Sequence, residues 1–211
     1  FVRVVSCNTT GLSRTLYPVL KKYGIDNVQA VMVRRSGDPK DSDRGPINSI
    51  EPVLGVPSHH GPDVQTVISN LNIQTMAVKV PTTIMHVHCI IAQLEKEPNV
   101  EKIIQLWEDT PRVNLIDGYL KNDDSKISNL PGTAEIMELA RDSLYTRGDL
   151  NQIAVWRDGV HAFGNKLYYY QAIHQESDVV PENIDAIRAM CGLEEDNMKS
   201  IMKTNASLGI N

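Results

Sequence analysis

Short apolar or alternating segments recur along the chain, and this pattern predicts a sheet. Alternation of apolar and polar residues is typical of a strand with one buried face. The predicted strands cover residues 1–5, 28–33, 76–80, 86–92, 112–116 and 153–156. Two further runs, at 160–163 and 166–170, flank Gly164-Asn165 and predict a β-hairpin.

Helices are predicted where apolar residues recur with a period near that of the α-helix. The clearest case is residues 100–107, whose large apolar residues stand at positions i, i+3, i+4 and i+7. Other helices are predicted at 14–22, 133–144, 181–190 and 194–208, and the turn at 58–64 is predicted to lead into a short helix that extends through Leu71. This order of elements predicts an α+β fold: a mixed, mostly antiparallel sheet with helices packed on one face, plus a C-terminal helical tail. Residues 36–56 and 117–132 are polar or rich in glycine and proline and are predicted as loops.

The composition narrows the function classes. The chain has 211 residues, 41% of them hydrophobic, so one large domain with a substantial core is expected. Its 21 basic and 26 acidic residues give a net charge of −5 without a long basic run. This argues against nucleic acid or an anionic membrane as a partner. No apolar stretch is long enough to span a bilayer.

The cysteines indicate the redox environment of the protein, and the first residues indicate whether more of the chain precedes them. The three cysteines are odd in number, widely spaced and without a CxxC pair, which favours free thiols in a reducing cytoplasm. No signal peptide is visible. The chain starts at Phe1, inside a strand-like run, so we expect further residues to precede it.

Cys7 is the strongest candidate for a reactive group. It stands between the strand predicted at 1–5 and the helix predicted at 14–22. The first N–H groups of a helix have no helical partners, and with the helix dipole they favour a negative charge. They lower the pKa of a thiol, and the thiolate is the nucleophile. We therefore expect iodoacetamide to label Cys7 before Cys89 or Cys191. The alternative is a buried structural cysteine beside a helix cap.

Four histidines form two close pairs in the sequence. His59 and His60 lie in a loop. His86 and His88 are two residues apart in a predicted strand and so share a face. A neutral imidazole suits proton transfer beside a nucleophilic cysteine, although each histidine could also be an ordinary surface or core residue. No metal is expected, because Cys89 points to the opposite face and no CxxC or HxxxH spacing occurs.

Arg34 and Arg35 end the strand predicted at 28–33. A guanidinium offers a forked pair of donors that suits a phosphate dianion, which is costly to bury unpaired. Adjacent side chains on a strand face opposite ways, so at most one of the two is expected to point toward Cys7. The alternative is that both arginines solvate the end of the strand.

Six segments of the chain occur in the same order in one known family. They are Ser6-Cys7-Asn8-Thr9-Thr10-Gly11-Leu12, Arg34-Arg35, Gly45-Pro46-Ile47-Asn48, Pro57-Ser58-His59-His60-Gly61-Pro62-Asp63, Pro81-Thr82-Thr83-Ile84-Met85-His86 and His174-Gln175-Glu176-Ser177. The chain closely resembles the catalytic domain and C-terminal tail of archaeal-type phosphorylating glyceraldehyde-3-phosphate dehydrogenases. The resemblance extends from Phe1 to Gly209, and six ordered segments are far more specific than any one of them.

The resemblance implies roles for the residues around the cysteine. Cys7 matches the nucleophile that attacks the aldehyde carbon, and His86 matches the catalytic base. Ser6 and Asn8 match the flanking positions that line the substrate site.

For residues further along the chain, the resemblance implies contacts to substrate and cofactor. His59 and His60 match the pair that contacts the substrate or its phosphate. Arg34 matches an arginine of the phosphate site. Arg35 matches a cofactor-contacting position, and Gln175 matches a residue near the nicotinamide.

The implied reaction is the oxidation of D-glyceraldehyde 3-phosphate by NAD or NADP, with inorganic phosphate, to 1,3-bisphosphoglycerate through a cysteine thioester. The implied assembly is a homo-oligomer, a tetramer in this family, and the implied location is the cytoplasm.

Two alternative functions stay open. One is a related phospho- or semialdehyde dehydrogenase, and the other is a cofactor-less lobe that binds sugar phosphate without turnover.

The resemblance also divides the chain. Residues 1–180 correspond to the catalytic, substrate-binding domain, and residues 181–211 to a helical segment that packs on a dinucleotide-binding domain. That domain carries a Gly-rich turn, and no G-x-G-x-x-G occurs in this sequence. We therefore expect the apolar stripe of the helical segment to be exposed or to mediate association.

Overall fold

The computed structural model describes residues 5–36, 48–82, 85–116 and 148–210, and these form an α+β fold as predicted. The strands are β1 (Ile25–Arg35), β2 (Glu51–Val53), β3 (Ile73–Val80), β4 (Met85–Leu94), β5 (Val113–Ile116), β6 (Ile153–Trp156), β7 (His161–Phe163) and β8 (Lys166–His174). The helices are α1 (Cys7–Tyr23), α2 (His60–Gln65), α3 (Val100–Glu108), α4 (Val180–Met190) and α5 (Asn197–Leu208). The strand predicted at 1–5, apart from Val5, lies outside the described residues. So do the loop predicted at 117–132 and the helix predicted at 133–144.

The described strands form one mixed sheet in the order β2-β3-β1-β4-β8-β6-β5, with β7 paired to β8. β1 pairs in parallel with β3, and β5 with β6, whereas the other strand pairs are antiparallel. The predicted mixed, mostly antiparallel sheet is therefore confirmed. The long strands β1, β4 and β8 lie side by side, so residues distant in sequence meet at the ends of the sheet.

The edge of the sheet differs from the sequence prediction. The loop predicted at 36–56 contains β2, which pairs with β3 as an edge strand. Pro52 lies in β2, and an edge position tolerates proline because one side of the strand has no ladder partner. A strand of three residues is too short for a hydrophobic period to reveal it.

Helix α1 packs against the middle of the sheet. Leu12, Leu16 and Val19 on its inner face are fully buried. Gly11 allows the helix to approach β8 closely, because a Cβ at this position would lie 2.8 Å from Cγ2 of Ile173. Helices α2 and α3 contact α1, so these helices lie on one face of the sheet as predicted.

The opposite face of the sheet is partly exposed and largely apolar. The strand register brings Met76, Val31, Cys89 and Tyr170 into one row across β3, β1, β4 and β8. Met76 and Tyr170 are about half exposed, at 55% and 48%. We call these four residues the outer apolar row. Exposed contiguous apolar surface of this kind marks an interaction site more often than a solvated face.

The C-terminal helices are attached to the rest of the fold by ion pairs. Arg112 is buried and donates to Asp185 at 2.6 Å and to Glu182 at 3.2 Å. Arg14 of α1 donates to the other oxygen of Glu182 at 2.5 Å. Burial alone would raise the pKa of Asp185, but hydrogen bonds from two α5 hydroxyls and from Arg112 outweigh it and lower the pKa. The carboxylate therefore stays charged at neutral pH and holds α4 and α5 together.

The apolar stripe of the C-terminal segment is only partly covered. Its half-buried members are Ile184 and Ile201. Its exposed members are Ile187, Met198 and Met202. Two neighbouring apolar residues are exposed as well: Met190 at the end of α4 and Leu193 in the connection to α5. Among the described residues, no helix has both the length and the hydropathy needed to cross a bilayer.

Candidate active site

Cys7 is the first residue of α1, so the helix begins seven residues before its predicted start at residue 14. Ser6 caps the helix: its backbone is extended (φ −71°, ψ 163°), and its hydroxyl accepts the N–H of Thr9 at 3.3 Å. The backbone N–H of Asn8 donates to the sulfur of Cys7. The first turn of α1 therefore positions the thiol and supplies a donor to it. The substrate contact expected of Ser6 stays a prediction.

One end of the sheet lies beside this helix start. β1 ends at Arg35, β4 begins at Met85 and β8 ends at His174. Because β4 runs antiparallel to both neighbours, these three ends meet. His86 therefore lies between the arginines that end β1 and the turn after β8, which carries Gln175.

His86 is fully buried, and its two ring nitrogens differ. The backbone N–H of Arg35 donates to Nδ1 at 3.0 Å, so the proton of the neutral ring is on Nε2. Nε2 has no hydrogen-bond partner among the described residues. Burial, and then the charges of Arg34 and Arg35, lower the pKa of His86 to about 3. In this state Nε2–H is a hydrogen-bond donor, and the base role implied by the resemblance stays a prediction.

The low pKa expected for Cys7 is wrong. The side chain is 8% exposed, and burial raises its pKa to about 12, with the nearby Asp178 acting in the same direction. The Asn8 N–H and the charges of Arg34 and Arg35 lower the pKa but do not outweigh burial. Cys7 does stand at a helix start, but desolvation of its sulfur has the larger effect on its pKa.

Burial of Cys7 reverses the labelling order expected from the sequence. At pH 7 iodoacetamide is expected to label the exposed Cys191 first and Cys7 last. With a pKa of about 12, roughly one Cys7 thiol in 100,000 is ionised at pH 7, so its labelling rate should rise about tenfold per pH unit. Timed quenching and peptide mass spectrometry of the 211-residue chain measure all three cysteines. A Cys7 that reacts first, or whose rate levels off below about pH 9, would contradict the burial of this thiol.

Arg34 and Arg35 have different environments, as expected for adjacent strand residues. Arg35 is buried, and its guanidinium donates to Gln175 at 3.2 Å and to Glu176. These bonds hold the turn after β8 against the end of β1. Arg34 is half-buried, and its Nε has no hydrogen-bond partner among the residues that the structure describes. Arg34 is therefore the better placed of the two to bind an anion.

The two loop histidines are not equivalent. His60 begins α2 and is buried, whereas His59 is exposed and its ring centroid lies 3.9 Å from that of His60. Nδ1 of His60 is 3.0 Å from the hydroxyl of Ser58, and its Nε2 has no hydrogen-bond partner within the described ranges. Burial, followed by His59 and Arg34, lowers the pKa of His60 to about 3. A neutral ring with an unused nitrogen therefore lies close to Arg34.

His88 shares a strand face with His86, as predicted, but both of its ring nitrogens are in use. Nε2 lies 2.8 Å from Oδ1 of Asn8, and Nδ1 lies 3.0 Å from Nε2 of Gln171. In the described part of the chain, no group of three or more histidine, cysteine or acidic side chains is arranged to hold a metal ion.

Three residues near the site have no role assigned from the sequence, although one of them, Glu176, lies in a segment that carries the family resemblance. Gln171 is a polar residue at an inward position between Tyr169 and Ile173, and this interruption of an apolar face is visible in the sequence. Glu176 and Asp178 lie in the turn between β8 and α4. The resemblance relates Gln175 of that turn to the site, but no local pattern relates Glu176 or Asp178 to a cysteine more than 160 residues away.

Comparison with known proteins identifies close relatives. Residues 6–159 match the family described as "Glyceraldehyde 3-phosphate dehydrogenase, C-terminal domain". Three archaeal relatives are each named glyceraldehyde-3-phosphate dehydrogenase. Identity is 55% over 210 residues for the protein of Pyrococcus abyssi, 52% over 211 for Methanothermus fervidus and 49% over 210 for Thermoplasma volcanium.

These alignments include all of this chain but only 59 to 60% of the relatives' own length. The family match covers α1 with its cysteine, the arginines that end β1 and the histidines of β4. The chain therefore belongs to the glyceraldehyde 3-phosphate dehydrogenase family and contains its C-terminal domain.

Proposed function

We propose that this chain is the catalytic portion of a dehydrogenase that oxidises D-glyceraldehyde 3-phosphate with NAD(P)⁺ and inorganic phosphate. The main support is that Arg34 acts electrostatically both on a cysteine at a helix start and on two neutral histidines, His60 and His86, whose Nε2 atoms are buried and lack a hydrogen-bond partner among the described residues. A thiol can add to an aldehyde carbon, while cations and N–H donors stabilise a phosphate and a negative oxygen. The names of its relatives support the same function.

Cys7 is the proposed nucleophile. The neutral thiol first loses its proton to solvent, and the thiolate then adds to the aldehyde carbon. A C–S bond forms, and the carbonyl π electrons move to the oxygen. Loss of hydride from the adduct leaves a thioester on Cys7, and attack by inorganic phosphate on this thioester releases the acyl phosphate and restores the thiolate.

His86 is proposed to stabilise the negative oxygen of this adduct. Its Nε2–H is a buried donor with no partner at hydrogen-bond distance among the described residues, and the side chain of Gln175 lies near the ring. A donor that meets charge as it develops lowers the barrier more than one that binds the ground state. Action as a base would require a proton on Nδ1, and so loss of the hydrogen bond from the Arg35 backbone.

Arg34 and His60 are proposed to bind the phosphate of the substrate. Arg34 supplies positive charge, and His60 supplies a neutral ring nitrogen held in place through Ser58. His59 is exposed beside His60 and is proposed to contact the phosphate from the rim of the site.

The residues expected to contact the cofactor fit that role unequally. The Arg35 guanidinium donates to Gln175 and Glu176 within the fold, so we do not assign it to a cofactor phosphate. Gln175 lies beside the ring of His86 and is the proposed contact for the nicotinamide amide. NAD(P)⁺, when bound, accepts the hydride. The rest of its site, including the selection of NAD or NADP, is proposed to lie in the part of the relatives' length that this chain does not span.

Two exposed apolar surfaces are proposed to be interfaces. The helical segment 181–211 is proposed to pack its exposed stripe on a dinucleotide-binding domain, which the relatives' additional length is large enough to contain. The outer apolar row is proposed to face a second copy of the chain in a homo-oligomer, where one flat sheet face can pack on its own symmetry mate.

The proposed function is testable with the full-length protein. Reduction of the nucleotide is expected to require both D-glyceraldehyde 3-phosphate and inorganic phosphate. The variant Arg34→Ala should lower kcat/KM for this substrate by about 10- to 100-fold, because a charged hydrogen bond is lost. It should leave kcat/KM for unphosphorylated D-glyceraldehyde within about twofold.

Arg157→Ala is the matched control, since Arg157 forms a partly exposed ion pair with Glu108 away from the site. This variant should change neither substrate's kcat/KM. Preference of the unmodified protein for an unphosphorylated semialdehyde would contradict the proposed substrate. Binding of the sugar phosphate without nucleotide reduction would contradict the proposed activity.

A further inference from the structure

Five buried polar side chains form a continuous hydrogen-bond relay from β8 to the start of α1. Each is at most 2% exposed, and in order they are Tyr169, Thr15, Gln171, His88 and Asn8. Successive donor–acceptor distances are 3.0, 2.8, 3.0 and 2.8 Å. A buried network in which each member has its partners fixes one arrangement of its side chains.

The donors in the relay all point the same way. Oε1 of Gln171 can only accept, so the hydroxyl of Thr15 donates to it and accepts from Tyr169. Nε2 of Gln171 can only donate, so Nδ1 of His88 is the acceptor. The neutral ring of His88 then carries its proton on Nε2 and donates to Oδ1 of Asn8. Burial keeps this ring neutral, because it lowers the pKa of His88 well below its usual value.

The relay fixes the orientation of the side-chain amide of Asn8. Oδ1 accepts from His88, so the NH2 group lies on the other side of the planar amide. No residue in the described ranges accepts a hydrogen bond from this nitrogen. Asn8 directly follows Cys7, and its backbone N–H already donates to the sulfur. A second donor of the same residue is therefore unused in the first turn of α1.

We propose that the side-chain NH2 of Asn8 donates to the substrate oxygen at Cys7, and that His88 and Gln171 are positioning residues that orient it. This inference rests on the proposed function. When the thiolate adds, the C–S bond forms and the π pair becomes a lone pair of the alkoxide, which Asn8 and His86 both stabilise. No proton moves along the relay. Its role is to keep Oδ1 of Asn8, which would repel the alkoxide, turned away.

Kinetics of the full-length enzyme test this positioning role. Gln171→Met removes the donor to His88 at similar side-chain volume and should lower kcat by about 10- to 100-fold, with KM changed less than about threefold. Asn8→Ala should lower kcat by about 100-fold. Because Gln171 acts through Asn8, the double variant should be no slower than Asn8→Ala alone. Ile173→Val is the matched control, because Ile173 lies on the same strand as Gln171 and packs on α1. This variant should lower kcat only slightly, and its effect on kcat should multiply with that of Asn8→Ala.

The relay would be overturned if the losses of kcat in Gln171→Met and Asn8→Ala multiplied in the double variant. It would also be overturned if Gln171→Met changed only KM. Either result would leave the proposed function intact. An unmodified enzyme that does not oxidise the aldehyde would overturn both. Nitrogen-15 NMR of the histidine-labelled, unmodified enzyme provides a measurement that does not depend on the folding of a variant. The proton of His88 is expected on Nε2 from about pH 5 to pH 9, and a proton on Nδ1 in that range would overturn the inference.

Discussion

Replacing Cys7 with serine in the full-length protein is expected to lower phosphate-dependent oxidation of the aldehyde by at least about 10,000-fold. A serine hydroxyl has a far higher pKa than a thiol, and Nε2 of His86 already carries a proton and so cannot accept the proton of the hydroxyl. The measurement is kcat/KM, combined with acid quenching and intact mass analysis. An acyl group should appear on the unmodified enzyme in the absence of phosphate and should be missing from Cys7→Ser.

Cys89→Ser is the control for this experiment. Cys89 lies in the outer apolar row, on the sheet face opposite α1, and its replacement should leave activity within about twofold. Activity of Cys7→Ser above about 1% of the unmodified enzyme, or an acyl group mapped to Cys89, would show that Cys7 is not the nucleophile.

The variants His86→Asn and His86→Gln are expected to differ, although neither side chain can act as a base. The amide nitrogen of glutamine reaches the position of Nε2, whereas that of asparagine reaches only the position of Nδ1. If His86 acts as a donor, His86→Asn should slow hydride transfer by about 100-fold or more, and His86→Gln should recover about tenfold of that loss. Single-turnover kinetics in the full-length protein isolate this step.

Equal losses of the hydride-transfer rate in the two variants would instead support the base role. His161→Asn is the control: His161 is exposed in β7, and its replacement should leave this rate unchanged. The pH profile gives an independent test. Since the pKa of His86 is lowered to about 3, the ring stays neutral as the pH rises from 5 to 8 and should produce no inflection there. The rate should instead rise with pH as the thiolate fraction of Cys7 grows. An inflection near pH 6.5 that disappears in His86→Asn would contradict the donor role.

Short-range patterns account for the parts of this fold that the sequence predicts well. The position of Cys7 near a helix start depends on a hydrogen bond between Ser6 and Thr9, only three residues apart, although the predicted helix begins later, at residue 14. The hairpin at Gly164-Asn165 depends on a positive φ at its glycine. The shared face of His86 and His88 depends on the period of two along a strand. Each pattern involves residues that are close in sequence, so each is visible before the chain is folded.

The sequence is less informative where the burial or the hydrogen-bond partners of a side chain depend on residues that are distant in the sequence. It treated His59 and His60 alike, yet only His60 is buried, because Ser58 and Thr75 of β3 hold it against the sheet. The resemblance implies a cofactor contact for Arg35, which stays a prediction, but it does not reveal that the guanidinium donates to Gln175 and Glu176 in the turn after β8. These partners lie up to 141 residues away, and no local signal announces them.

The amino-acid order alone is enough to identify the family, most of the helices and strands, and the cysteine at the head of α1. It does not reveal that the thiol of Cys7 is neutral, or that the ring of His86 carries its proton on Nε2. Those properties depend on desolvation by atoms from many parts of the chain and on one backbone N–H that β1 supplies to β4. Electrostatic free energies depend on distances and burial in three dimensions, so they become fixed only when the sheet and α1 have packed together.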